Sequence, residues 1–297
     1  MRLMITGING LLSQNIVQEF QEDWEIFGMD LSASVYPRET QIQVAVLDLN
    51  DTRQVSQHMR EISPDVLIHT AAYTNVDRSE DEPELAFAVN GKVPETLAQL
   101  CSDMDIPMVH ISTDYVFDGD AGPYREADSC NPRGIYAESK YAGERAVLNS
   151  SGKVAVIRPN VMYGHGTQLK SSFVDWLVKE LKAGRPVNIV DDQFNNPSYA
   201  RRLASVIRTI IEKEACGLWH FGSKEVVSRY TFARKIADTF GLPSELINAI
   251  STVALKQKAP RPLRSGLICE KLKHELDIPI LSIGEELELL KEEMNVS

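Results

Sequence analysis

The chain has 297 residues, 43% of them hydrophobic, with 42 acidic against 31 basic side chains and a net charge of −11. This is enough apolar material for one large domain with a smaller lobe. An acid surplus of this size disfavours a broad phosphate-backbone contact surface, so no nucleic-acid partner is expected. No run of about 18 apolar residues is present, and MRLMIT at the amino terminus reads as a strand, so no membrane association and a cytoplasmic location are expected. Cys101, Cys130, Cys216 and Cys269 form no C-x-x-C pair, and the six histidines are dispersed, which predicts reduced structural thiols and no metal.

In chain order, apolar runs of strand length (RLMITG, EIFGMD, AVLDL, DVLIHTAA, MVHISTD and KVAVIRP) alternate with helical stretches such as PELAFAVNGKVPETLAQLC. Nearly continuous Val, Ile, Leu and Met in these runs suits strands covered on both faces. The pattern predicts an α/β fold with a doubly wound parallel sheet over residues 1–165. Beyond Pro159 the rhythm loosens: a helix at SSFVDWLVKELKAG, a strand at PVNIVD, a helix at ARRLASVIRTIIEKE, a strand at GLWHFG, a helix at TFARKIADTFG, Pro-rich KAPRPLRS and an acidic closing helix. Residues 166–297 are expected to form mainly a substrate-binding lobe, with roughly 186–216 returning to the edge of the sheet.

The first strand runs into ITGINGLLS. Gly7 suits a tight turn, Gly10 suits close approach of backbone to a pyrophosphate, and Ser13 takes the third small position. By itself the turn fits a dinucleotide cradle and a plain strand-to-helix turn equally well. Asp30 ends the second strand about twenty residues on, where a carboxylate accepts from adenosine ribose hydroxyls and repels a 2′-phosphate. That favours NADH over NADPH, with Arg38 nearby as a counterweight.

In IYAESKYAGE, Tyr136 and Lys140 are one helical turn apart on one face. An ammonium beside a phenol is expected to pull it down toward working pH and make it a proton donor for a developing alkoxide. HISTDYVFDG places Ser112 and Thr113 at the carboxyl edge of the sheet, where a hydroxyl can position a carbonyl.

The succession TGINGLLS, HTAAYTNVD, HISTDYVFDG, YAESKYAGE, RPNVMYG, DDQFNNPS and APRPLRS resembles the extended short-chain dehydrogenase/reductases over nearly the whole chain. It is most similar to their dTDP-4-dehydrorhamnose reductase group, nucleotide-sugar 4-ketoreductases. The resemblance implies Thr113, Tyr136 and Lys140 as the catalytic trio. It implies Gly7, Asn9, Gly10 and Leu11 around the pyrophosphate, Asp30 at the ribose, Ala71, Ala72 and Tyr73 along the middle of the cofactor, and Ser112, Tyr136 and Lys140 at its nicotinamide end. Asp48 and Leu49 would border the adenine, although an N-cap role for Asn50 or Asp51 explains that polar strand end equally well. Thr74, Thr113, Tyr115, Asn160 and Arg261 would surround a nucleotide-sugar substrate, Arg261 on a diphosphate oxygen. Val161 stands where rhamnose-type members carry an aromatic residue, and Asn195 where a glycine is usual.

The expected activity is NADH- or NADPH-dependent reduction of a nucleotide-activated 4-keto-6-deoxy-sugar in deoxysugar biosynthesis, with a homodimer as the expected assembly. A dehydratase or epimerase of the same fold is the rival enzyme. Dehydratases carry Thr-Asp-Glu where this chain has Thr113-Asp114-Tyr115, which leaves elimination without its base. The rival from another class is a regulatory subunit similar to the β subunit of methionine adenosyltransferase.

Overall fold

The computed structural model of the chain describes residues 1–37, 40–168 and 172–296. Arg38, and the first residue of the helix expected at SSFVDW, lie outside them. Strands β1 (Arg2–Thr6), β2 (Glu25–Asp30), β3 (Gln43–Val46), β4 (Val66–His69), β5 (Met108–Ile111), β6 (Val154–Pro159) and β7 (Gly217–Phe221) form one seven-stranded sheet, ordered β7-β6-β5-β4-β1-β2-β3. Every pairing in it is parallel. The order reverses between β1 and β4, and open sheets of this kind form their ligand crevice outside the strand ends at such a reversal.

Helices cover both faces, as the continuous apolar strands require. On one face α1 (Leu11–Phe20) and α6 (Ala200–Glu212) pack Ile16, Phe20, Leu203 and Ile207 against Leu3, Ile5, Ile68 and Ile157. On the other, α2 (Thr52–Ile62), α3 (Val93–Asp103) and α4 (Ile135–Leu148) bring Met59, Leu97 and Val147 onto Met4, Leu67 and Val156. Each such fully buried side chain contributes roughly 1.5–3 kcal/mol. Toward the strand ends this second face turns polar: Thr6, His69 and His110 stand side by side in register on β1, β4 and β5, and Arg158 pairs with His220 across β6 and β7.

A separate core gathers α5 (Phe173–Lys182), α7 (Arg229–Phe240) and α8 (Ile283–Val296) through Leu177, Leu181, Phe232, Ile236, Leu287 and Leu290. The expected return of 186–216 to the sheet edge needs correcting. Val187–Val190 pairs with Ile247–Ile250 in this second core, while the strand that closes the main sheet beside β6 is Gly217–Phe221. What the span does send to the sheet is α6, packed along α1. The burial of the strands agrees: Asn188 is exposed between buried neighbours, a one-sided strand, whereas the last three residues of β7 are all buried.

Candidate active site

The turn after β1 has the geometry a dinucleotide needs. Gly7 adopts φ +68, and a Cβ there would lie 2.8 Å from the Ala71 Cα, so only glycine lets the β1 and β4 ends approach this closely. Its N–H donates to the Met29 carbonyl and its carbonyl accepts from Gly10 N–H, closing a compact loop. Gly10 is the N-cap of α1 and carries no side-chain cap, so the first N–H groups of the helix are free of side-chain acceptors. Ser13 does more than fill the third small position: its hydroxyl donates to the Gly7 carbonyl at 2.9 Å and meets the Thr70 hydroxyl at 2.7 Å, tying helix, turn and β4 together.

A cleft of about 730 Å³ opens over this turn. Ten of the sequence-derived residues line it: Gly7, Gly10, Leu11, Asp30, Asp48, Leu49, Ala71, Ala72, Tyr73 and Thr74. The helix cap after β3 is Asp51, which accepts from Gln54 N–H, and this frees Asp48 from that task. Sequence reasoning missed Leu85, Val89, Ile111 and Met162, apolar walls of the same cleft. The first two lie in PELAFAVNG, whose helical rhythm does not announce the five-residue π turn at Ala88–Lys92.

Asn9 stands apart from the expectation. It does not line the cleft; its N–H donates to Asp30 Oδ2 at 3.1 Å, and its side chain holds Ser32, Ala33 and Val35. It therefore fixes the loop after β2. Asp30, also bonded by Ser32 N–H and Oγ through Oδ1, points where that loop sets it.

Thr113, Tyr136 and Lys140 meet at the end of β5. Thr113 is buried, caps a short 3₁₀ turn, accepts from Tyr115 N–H and donates to Asp114 Oδ1 at 3.2 Å. The Thr113 hydroxyl is also among the groups acting on the Tyr136 phenol. The Tyr115 and Tyr136 rings meet edge to face at 5.6 Å. Lys140 is buried, and its Nζ donates to the Ile111 carbonyl at 2.6 Å. Burial brings this ammonium down to about 8, with Glu144 opposing the shift.

The expected acidification of Tyr136 by Lys140 is not met here. Burial, first, pushes the phenol above its ordinary value; the Thr113 hydroxyl works the other way, and the charges acting on it are those of Tyr115 and Asp114. The ammonium is committed to a backbone carbonyl instead.

Ser112 faces away from the cleft. Its hydroxyl donates to Glu144 Oε2 at 2.6 Å, and Glu144 takes two bonds from Arg158, at 2.8 and 2.5 Å, in an ion pair whose side chains are 1% and 3% exposed. Ser112 thus belongs to the polar bracket behind Thr113 rather than to the cofactor surface. Asn90, which the sequence did not single out, is buried on the π turn. It accepts from Tyr73 N–H at 2.8 Å and donates to the Tyr73 carbonyl and the Ser139 hydroxyl. A Cβ on Gly143 would come within 2.1 Å of the Asn90 carbonyl, so α4 can press onto this turn only at a glycine.

The substrate candidates divide. Thr74 lines the cleft and Tyr115 packs on Tyr136. Asn160 is buried and engaged by Ser198, Ser265 and Val161, an internal clamp. Arg261 holds Asp77 Oδ1 at 3.1 Å and the Ala259 carbonyl at 3.0 Å. Arg229 at the start of α7, absent from the sequence reading, lies over the Phe173 ring and acts on Asp114, Tyr115 and Arg261.

Among known proteins the chain is 33% identical over 296 residues to a probable low-salt glycan biosynthesis reductase of Haloferax volcanii, covering 98% of this chain and 97% of that one. It is 33% identical to the methionine adenosyltransferase 2 subunit beta of Xenopus laevis over 92% of this chain and 81% of that one. The crystal structure of dTDP-4-dehydrorhamnose reductase from Bacillus anthracis in complex with NADP superposes with a TM-score of 0.89 at 30% identity, covering 98% of this chain and 99% of that one. The model of the RmlD substrate binding domain matches residues 1–296, and the chain belongs to that family.

Proposed function

We propose that the protein is an NADH- or NADPH-dependent reductase of a nucleotide-activated 4-keto-6-deoxy-sugar, acting in deoxysugar biosynthesis. The observation that carries this reading is the glycine turn at one side of the cleft together with Ile111, which lines the same cleft at the end of β5 and whose carbonyl accepts from Lys140 Nζ. Similarity to the Bacillus anthracis reductase, crystallised with NADP, supports it.

The residues present fit a dinucleotide: a side chain at Gly7 would fill the cradle against Ala71, and the α1 terminus faces it without a capping side chain. Gly7, Gly10 and Leu11 would hold the pyrophosphate, Asp30 the adenosine ribose, Asp48 and Leu49 the adenine edge, Ala71, Ala72 and Tyr73 the middle, and Lys140 the nicotinamide ribose. The carboxylate of Asp30 favours NADH. When bound, the dihydronicotinamide supplies hydride to the carbonyl carbon. Tyr136 gives its proton to the carbonyl oxygen, Thr113 orients that oxygen, and Tyr115 and Thr74 contact the sugar. Arg261, carried on Asp77, is the diphosphate residue of this proposal.

A panel of keto-sugar nucleotides assayed with NADH and NADPH tests the reading. Turnover with stoichiometric cofactor oxidation is expected, and Tyr136→Phe should lower kcat by roughly 10²–10⁴-fold while leaving cofactor binding in place. Unchanged turnover in that variant would refute the assignment. Absence of reduction together with tight capture of a larger enzyme would favour a subunit role like that named for the Xenopus relative. A cytoplasmic location and a homodimer belong to the same proposal, the second tested by sedimentation.

A further inference from the structure

The helix that carries Tyr136 is capped from elsewhere in the chain. Gly134, the N-cap of α4, has φ +88 and no side chain with which to accept from the leading N–H groups of the helix. Glu80, 55 residues earlier, supplies the acceptor: its Oε1 takes the Ile135 N–H at 2.8 Å. A Cβ on Gly134 would lie 2.8 Å from that same oxygen, so the carboxylate is pressed against the turn that leads into Tyr136. On the other side, the Tyr136 carbonyl accepts from the Ser139 hydroxyl at 2.9 Å, and Ser139 in turn accepts from Asn90. The backbone of Tyr136 is therefore held from in front through Ile135 and from behind through Ser139.

We propose that Glu80 is a positioning residue for Tyr136, setting where the phenol stands by fixing the peptide that leads into it. The proposal rests on the reductase reading and names a residue of that site which no motif marks. Glu80 does not touch substrate or cofactor in this account; it acts through the Ile135 N–H alone.

The surroundings suit this task. Glu80 follows the short helix Val76–Ser79, which Asn75 caps by accepting from Arg78 N–H at 3.1 Å, directly after cleft residue Thr74. That helix is anchored on its own account: Asp77 Oδ1 accepts from Ala259 N–H at 3.0 Å and pairs with Arg261 at 3.1 Å. Asp81 and Glu82 are spent on ion pairs with Lys258 and Arg78, whereas among the described residues Glu80 has none and gives its carboxylate to α4. A negative group at the leading N–H of a 14-residue helix also meets the positive end of its dipole. Proton donation to a carbonyl under hydride attack is sensitive to placement, and an error of about 1 Å can cost on the order of 10²-fold in rate. A brace that merely stabilised the fold would leave the turnover of the folded enzyme alone.

Two measurements test this. In tyrosine labelled with carbon-13 at Cζ, the Tyr136 signal is the one missing from Tyr136→Phe. In the ligand-free protein Glu80→Ala should move that signal, while Glu80→Gln, whose amide oxygen still accepts from Ile135 N–H, should leave it in place. Asp77→Asn, which disturbs the same short helix without touching Ile135, should leave it in place too. In steady-state assays Glu80→Ala should lower kcat by roughly 10–100-fold with the KM for NADH little changed, Glu80→Asp should fall between it and the unaltered protein, and Glu80→Gln should recover most of the loss. An unmoved Tyr136 signal in Glu80→Ala, an equal shift in Asp77→Asn, or a kcat that holds while Tm falls would overturn the proposal. A shift confined to Glu80→Ala, in a protein that passes hydride to none of the keto-sugars tested, would sink the reductase reading and leave Glu80 as the residue that places the phenol.

Discussion

The two parts of the proposed site are built on different terms. At the glycine end the chain presents backbone: a left-handed Gly7, a helix terminus without a side-chain cap, and Ala71 pressed against the turn. Where the substrate is proposed to sit it presents side chains from separate segments, and those already have tasks, with Arg261 on Asp77, Asn160 within an internal clamp, and Arg229 over Phe173. Main-chain recognition asks only that a local turn form, so the glycine end is rigid from the outset. Side-chain recognition at the other end requires existing bonds to be exchanged for new ones, which makes selectivity there depend on what the ligand can replace.

If that contrast holds, the deepest damage to the cofactor end should come from behind it. Glu144→Ala leaves the Arg158 guanidinium buried without its carboxylate, and a loss of about 3–5 kcal/mol in urea denaturation is expected. Gly7→Ala acts on the turn itself, with a Cβ directed at the Ala71 backbone from a left-handed residue. It should cost about 1–3 kcal/mol and weaken NADH binding together with stability, read by thermal melts with and without cofactor. If stability alone fell, the turn would be scaffolding and the contrast would break.

Asp30→Asn probes selectivity at the cofactor end, at the cost of one backbone acceptor, since both carboxylate oxygens take an N–H bond. Removing the charge that would face a 2′-phosphate should shift the NADPH to NADH affinity ratio toward NADPH by about tenfold, or ~1.4 kcal/mol, in fluorescence titrations. The smallest effect belongs to the second core. Glu286 is buried, accepts from the Tyr163 hydroxyl at 2.9 Å, and is raised by burial from 4.5 to about 7. A carboxyl raised on folding stabilises while it is protonated, so the protein should lose stability as pH climbs from 4.5 through 7. Glu286→Gln, which stays neutral, should flatten that decline by on the order of 1 kcal/mol in Tm profiles across this range.

Much of the fold was legible because strands covered on both faces are apolar throughout: five of the six strands up to Pro159 lie within their runs, while β3 at Gln43–Val46 overlaps AVLDL only at Ala45 and Val46. Pairing partners were less so. PVNIVD and GLWHFG look alike as runs, yet only the second joins the main sheet, since neighbours in space are chosen by packing that periodicity does not encode. In the site, Gly7, Gly10 and Asp30 were readable from position on a strand end, and Tyr136 with Lys140 from helical spacing. The direction of the Tyr136 shift was not, because spacing puts an amine beside a phenol without revealing that burial pushes the phenol up and that the Ile111 carbonyl holds the amine. Arg229 and Asn90 carried no motif at all; their importance comes from what the fold brings opposite them, Asp114 in one case and Tyr73 with Ser139 in the other.

The Asn90 amide has a mechanical consequence. One planar group grips the wall of the cofactor cleft at Tyr73 and the helix that carries Tyr136 and Lys140 at Ser139, so the two cannot drift independently by more than a hydrogen bond allows. A ligand seated against that wall would therefore bear on the helix beyond it through a single planar amide, a strut with no hinge in it.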